Sequence, residues 1–396
     1  MTKGISEVDV RGKRVLLRED LNVPLEGGAV ADDTRIAAAM PTIQNLSGRG
    51  ARVVVISHLG RPDGKVVESL RMAPVAAALS KELGAPVKTA PDCVGPQAQA
   101  AVDALADGDV LLLENLRFHP EEEANDPEFA RQLASLGDLY VNDAFATAHR
   151  AHASTVGVTA YLPSYMGPLM ERELDMLDEV LQRPRRPFVA VLGGAKVSDK
   201  IEVIERLLLV CDAILIGGGM GNTLLAAEGF DVGKSLRDAD LGPAKKIREE
   251  IDRNAERVEV LLPEDGVVAK ELKPDADSRF ADVGEIAPDE MILDIGPTTA
   301  EKFTGVIEEA KTVLWNGPMG VFEIDAFAAG TEAVGDAIAA SGALSVLGGG
   351  DTAAAAHKLG FADKMTYIST GGGATLEYLE GKELPGVAAL RAAANA

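Results

Sequence analysis

The chain has 396 residues, 46% apolar and 26% charged, which fits a soluble globular protein of two or three domains and excludes a disordered one. Its 39 basic and 62 acidic residues leave a net charge of −23, which opposes general binding to nucleic acid or to an anionic membrane. The two cysteines, Cys93 and Cys211, lie far apart with no His partner nearby in the sequence, so a disulfide framework and a zinc site are not expected and a reducing cytoplasm fits.

In chain order, the opening MTKGISEVDVRGKRV lacks the apolar core of a signal peptide. Short runs rich in Val, Ile and Leu then recur at 14–20, 52–58, 109–115, 139–143, 188–194, 213–219, 258–263, 291–296, 313–317, 345–349 and 365–370, each stopping at polar residues or glycine. Segments 74–83, 171–181, 200–209 and 353–359 have helical spacing and few breakers. Near-continuous apolar strands alternating with helices predict an α/β fold of βαβ units, with parallel sheets buried on both faces. Eleven runs exceed what one open sheet usually holds, so two sheets are expected. The boundary falls near 165–190, where GPLMERELDMLDEVLQ reads as an amphipathic helix and RPRRP breaks it. The longest apolar run, 207–220, is interrupted by Asp212 and a glycine triplet and cannot span a bilayer.

Ligands of open α/β sheets sit outside the carboxyl ends of the strands. In the first half those ends carry REDLNVP, SHLGRP, ENLRFHP and TAHRAHAS, with Arg35 in DDTRI close by. The planar fork of arginine matches phosphate and carboxylate bidentately, so several at equivalent positions point to a small, multiply charged anion. Any one of them alone reads equally well as a solvated loop residue. His149 and His152 suit one helical face, but no third ligand has metal-site spacing, so the histidines are read as helping to bind the anion or lining its site.

The strand ends of the second half carry glycines. GGAKVSDK at 193–200 follows the strand FVAVL; its backbone N–H groups can approach phosphate, and Lys196 and Lys200, four apart, would share a face if the segment is helical. Similar loops stand at 217–221, 348–352 and 371–373. Asp351 in GGGDT reads either as a helix N-terminal cap or, beside a nucleotide, as a Mg²⁺ ligand. GFDVGKS is one residue short of a Walker A loop, and GGGMGN lacks the last glycine of a dinucleotide fingerprint. A nicotinamide-dependent dehydrogenase therefore lacks its signature, and a closing anion-binding protein would leave the lysine pair unexplained.

The series REDLNVP, SHLGRP, ENLRFH, VNDAFATAHRAHAST, GGAKVSDKI, WNGPMGVFE, GGGDT and ISTGGGATLEYLEGKELPG, running from about Val15 to about Gly386, resembles the phosphoglycerate kinase family in order and spacing. The resemblance implies two Rossmann-like, doubly wound parallel-sheet domains joined by a hinge helix. Residues 1–170 would bind phosphoglycerate and 171–375 nucleotide, while 376–396 would return to the first domain. It implies reversible Mg²⁺-dependent phosphoryl transfer between 1,3-bisphosphoglycerate and ADP, giving 3-phosphoglycerate and ATP, by a cytoplasmic monomer. Carried over motif by motif, Asp20, Asn22, Arg35, His58, Arg61, Arg117 and Arg150 bind the glycerate ligand, with Arg61, Arg117 and Arg150 on its non-transferring phosphate. Lys200, Glu323 at the ribose, Gly349, Gly350, Asp351 and Thr352 take the nucleotide, with Asp351 holding Mg²⁺. Arg35 and Lys196 embrace the transferring phosphoryl, and the helix starts at Gly349 and Gly372 add backbone donors. Glu19, Ala146 and Thr298 depart from the family's common pattern, where a small or apolar residue, glycine and lysine are usual.

Overall fold

The computed structural model describes residues 4–394. They form two compact units, one running to Asp175 and resuming at Glu383, the other spanning Met176–Lys382. The division falls inside the helix Pro168–Leu181.

The first unit is built on a six-stranded, wholly parallel sheet, in the order Val87–Thr89, Val110–Leu112, Arg52–Ile56, Arg14–Arg18, Leu139–Asn142, Ser164–Met166. Its middle strands are buried on both faces, as their unbroken Val and Leu runs require. One face packs Val15, Leu17, Val53 and Val55 against Ile36, Ile43 and Leu46 of the helix Thr34–Gly48 and Val75 and Leu79 of the helix Ala73–Leu83. Each such side chain contributes about 1.5–3 kcal/mol on burial. The helix Pro385–Ala393, near the C-terminus, belongs to this unit; Gly386 N donates to Ala148 O at 2.8 Å.

The second unit repeats the plan, with a parallel sheet in the order Glu259–Leu261, Ala213–Ile216, Phe188–Leu192, Thr312–Asn316, Leu344–Gly348, Tyr367–Ile368. Trp315 and Phe361 stack in its core at 5.6 Å between ring centroids.

Two local expectations give way, and two short strands went unforeseen. Met291–Ile295 joins not the parallel sheet but an antiparallel one with Asp265–Ala269 and Ser278–Asp282. Its outer strand, SRFAD, exposes four of its five residues and has no apolar run to betray it. Five-residue runs look alike whichever way their neighbours point. The helix after GGAKVSDK begins at Ile201 with Lys200 as its cap, so Lys196 and Lys200 do not share a helical face. The edge strands Val87–Thr89 and Ser164–Met166 are three residues long, below what periodicity can detect.

Candidate active site

Because the first sheet is parallel, the segments that follow its strands emerge at one edge. Glu19–Asn22, Ser57–Arg61, Leu113–Arg117 and Asp143–Arg150 are the turns after four adjacent strands. Arg18, 1% exposed, sits beneath them: its Nε donates to Ser154 Oγ at 3.0 Å and its guanidinium reaches His58 Nδ1 at 3.1 Å. Burial, followed by the charges of Arg18, Arg117, Arg150 and Arg35, holds His58 well below the usual imidazole range, so the ring is neutral. Burial, followed by Arg117, Arg18, Arg150 and His149, brings His152 down to about 4. Both imidazoles are kept neutral by burial, with the surrounding guanidiniums adding to it.

The arginines are not equally occupied. Arg117 donates to Gly60 O at 2.8 Å and meets Glu123 at 3.1 Å. Arg35 is held by the Asp20 carboxylate at 2.9 Å and by Asn22 O at 3.0 Å, while Asn22 Oδ1 accepts from Gly60 N at 2.8 Å. Among the described residues neither Arg61, which is exposed, nor Arg150 pairs with a carboxylate. Asp20, Asn22, Arg35, His58 and Arg117 are thus linked through hydrogen bonds and charge, and Arg150 acts on both histidines. Glu19 is buried with neither carboxyl oxygen hydrogen-bonded, and burial together with Asp143 pushes it well above the usual carboxyl range. Ala146 lies in the single-turn helix Phe145–Thr147.

In the second unit the glycine loops tie to each other first. Gly193 N donates to Asn316 O at 3.0 Å and Gly194 N to Pro318 O at 3.2 Å. Lys200 Nζ donates to Gly193 O at 2.8 Å and Asn316 O at 3.0 Å, and burial brings it down to about 8. Lys196 is exposed in the loop. The helix Gly350–Lys358 starts from Gly349 at φ +90°, a conformation that favours glycine, and Gly372 at φ +53° starts Gly373–Leu379 in the same way. Asp351 is not the cap: Gly349 is, and the carboxylate stands exposed in the first turn without a capping bond. Thr352 turns inward, its hydroxyl accepting from Gly317 N at 2.7 Å. Thr298, whose N–H is taken by Asp265 at 3.0 Å, opens the helix Pro297–Glu308.

A cavity of about 460 Å³ lies in this unit, with Gly194 and Gly219 on its border, Leu293 and Met319 among its apolar walls, and Glu323 and Asp351 among its acidic groups. A larger open groove of about 1640 Å³ in the same unit includes none of the residues expected to bind ligand. It runs beside Val189 and Ala213, at the amino ends of their strands, where ligands of such sheets do not bind.

A family model described as phosphoglycerate kinase matches residues 5–382. The phosphoglycerate kinase of Pelotomaculum thermopropionicum is 57% identical over 389 residues, 98% of each chain. The chain belongs to the phosphoglycerate kinase family. The solved phosphoglycerate kinase of Coxiella burnetii superposes with a TM-score of 0.90 at 43% identity over 99% of both chains. That of Pyrococcus horikoshii gives 0.87 at 37% over 98%. Within this phosphoglycerate kinase fold, two features of the sites escaped the sequence reading. Arg18 could have been suspected as a charge ending the apolar run RVLL, whereas Leu293 and Met319 on the cavity wall look like any core residues.

Proposed function

We infer that this chain runs the family's reaction with the two arrays described above, one on each unit. The reaction is the reversible transfer of a phosphoryl group between 1,3-bisphosphoglycerate and ADP, giving 3-phosphoglycerate and ATP, a step of glycolysis. The observation that carries the division of labour is the crowd of guanidiniums around neutral His58, set against a glycine-bordered cavity with Asp351 at its rim.

On the first unit Arg61, Arg117 and Arg150 hold the non-transferring phosphate, and Asp20, Asn22 and His58 the rest of the glycerate. Arg61 and Arg150, free of carboxylate partners, have donors to give. Arg35, aimed by Asp20, faces the transferring phosphoryl. On the second unit Lys200, Gly349, Gly350 and Thr352 serve the nucleotide phosphates and Glu323 the ribose. The exposed, uncapped Asp351 carboxylate fits Mg²⁺, which takes one carboxylate together with phosphate oxygens. Mg²⁺ held there supplies neutralisation of nucleotide phosphate charge.

During transfer the bond between phosphorus and the acyl oxygen breaks, a bond to the terminal oxygen of ADP forms, and the carboxylate leaves as an anion. No proton has to move. Positioning and charge stabilisation therefore supply most of the rate, through Arg35, Lys196 and the backbone donors after Gly349 and Gly372. With donor and acceptor on separate units, transfer calls for hinge closure about the helix Pro168–Leu181, which also keeps water from the phosphoryl group. A cytoplasmic monomer is part of the same proposal; both cysteines are free and buried, as suits a reducing compartment.

The test is a coupled assay in which protein, 3-phosphoglycerate and Mg-ATP are mixed with glyceraldehyde-3-phosphate dehydrogenase and NADH. Loss of NADH absorbance that needs all three components is expected. No loss, from folded protein with the coupling enzyme verified, would overturn the assignment.

A further inference from the structure

Cys93 and His119, 26 positions apart in sequence, meet in the first unit. Among the described residues, Asp92, Cys93 and His119 form a group in which one ligand atom of each lies within 4.8 Å of the others. His119 Nε2 and Asp92 Oδ1 are 2.7 Å apart, and the ring rests against Phe129 at 5.2 Å between centroids. Asp92 Oδ1 also accepts from Cys93 N at 2.7 Å, which keeps carboxylate and cysteine together. Cys93 is wholly buried, while the Asp92 and His119 side chains are 44% and 28% exposed, so an ion can reach the group from their side. Burial first, then the carboxylates of Asp92 and Glu122, pushes the Cys93 thiol well above its ordinary range, so a cation bound there must displace the thiol proton.

We propose that Asp92, Cys93 and His119 bind a thiolate-preferring divalent cation of the Zn²⁺ class, with water as the fourth ligand. One sulfur, one imidazole nitrogen and one carboxylate oxygen is a donor set such ions accept, and Mg²⁺, which demands oxygen ligands, does not compete for it. With metal–ligand bonds of about 2.0–2.3 Å, tetrahedral geometry puts ligand atoms roughly 3.5 Å apart, so atoms now up to 4.8 Å apart must draw in by about 1.3 Å at most, while His119 Nε2 and Asp92 Oδ1 exchange their hydrogen bond for the metal and move apart. Side-chain rotation at the partly exposed Asp92 and His119 supplies that movement. His119 follows Arg117 by two positions and caps the single-turn helix Leu116–Phe118, so the ion would bind next in sequence to an anion-binding arginine.

The test uses the full chain without nucleotide, in excess Mg²⁺ so that the nucleotide-side carboxylate is not read. Cd²⁺ is titrated in while the thiolate-to-metal charge-transfer band is followed, and Zn²⁺ is competed against a chromophoric chelator. One Cd²⁺ per chain is expected, with the band abolished in Cys93→Ser and kept in Cys211→Ser. His119→Gln and Asp92→Asn should each weaken Zn²⁺ binding by at least about tenfold. Absence of the band, its survival in Cys93→Ser, or its loss in Cys211→Ser would overturn the site. Should Cys93→Ser fail to fold, unchanged Zn²⁺ affinity in His119→Gln and Asp92→Asn, checked by thermal unfolding, overturns it equally.

Discussion

Arg35 and Lys196 differ in how firmly the fold engages them. Arg35 is half-buried, held by the mostly buried Asp20 carboxylate and a carbonyl, while Lys196 stands exposed in its loop. Removing Lys196 should leave the unfolding midpoint almost unchanged, and removing Arg35 should lower stability by about 1–2 kcal/mol while the protein stays folded. If both meet the transferring phosphoryl, Arg35→Ala and Lys196→Ala should each lower kcat by about 10²-fold or more. Turnover within about tenfold of the parent in either variant would refute its role. His152 supplies a prediction about acid. In the fold it titrates near 4, against about 6.5 in an unfolded chain, so between those values the unfolded state binds the extra proton. Its contribution to stability is therefore lost as pH falls from about 6.5 towards 4. His152→Gln should flatten the decline of stability across that window, as followed by denaturant titrations; an unchanged slope would show that the imidazole titrates normally.

Strands and helices place these side chains, and the junctions between them are where single residues matter most. Gly349 links the strand Leu344–Gly348 to the helix Gly350–Lys358 at φ +90° and ψ 141°. An alanine there carries backbone strain of about 1–3 kcal/mol, or else the helix start shifts and moves Asp351 and Thr352 with it. Gly349→Ala should accordingly lower stability by that amount and weaken ADP binding. A loss under about 0.5 kcal/mol with normal ADP affinity would mean that the turn relaxes freely. Elements of this kind were readable in part. RVLLR, RVVVI and FVAVL announce buried strands because burial on both faces demands unbroken apolar residues. SRFAD does not, since its partners shape an antiparallel sheet that leaves most of its side chains in water.

Across the whole molecule, the chain leaves the first unit within one helix and comes back to it at the end. Val387 and Leu390 are buried there, the helix Pro385–Ala393 packs on the strand Ser164–Met166, and Gly386 bonds to Ala148, two residues before Arg150. Deleting 383–396 should loosen the first unit and weaken 3-phosphoglycerate binding. The sole tryptophan, Trp315, is buried in the second unit and reports on that unit alone. The deletion should therefore lower the melting transition seen by circular dichroism while the tryptophan transition stays put. A parallel fall in both would show that the two units melt as one.

By itself the sequence determined the α/β character, the presence of two large parallel sheets and the edge at which each gathers its polar or glycine residues. All three follow from local pattern: apolar runs bury, and parallel strands put their carboxyl ends on one side. Motif order alone named the family. Tertiary structure decided what depends on which residues meet across distance: that Arg18 lies under His58, that Asp20 holds Arg35, that Gly349 and not Asp351 caps its helix. It also brought Asp92, Cys93 and His119 together. A two-residue spacing is visible in a chain, but a 26-residue one becomes a contact only when sheet register and loop packing make it so.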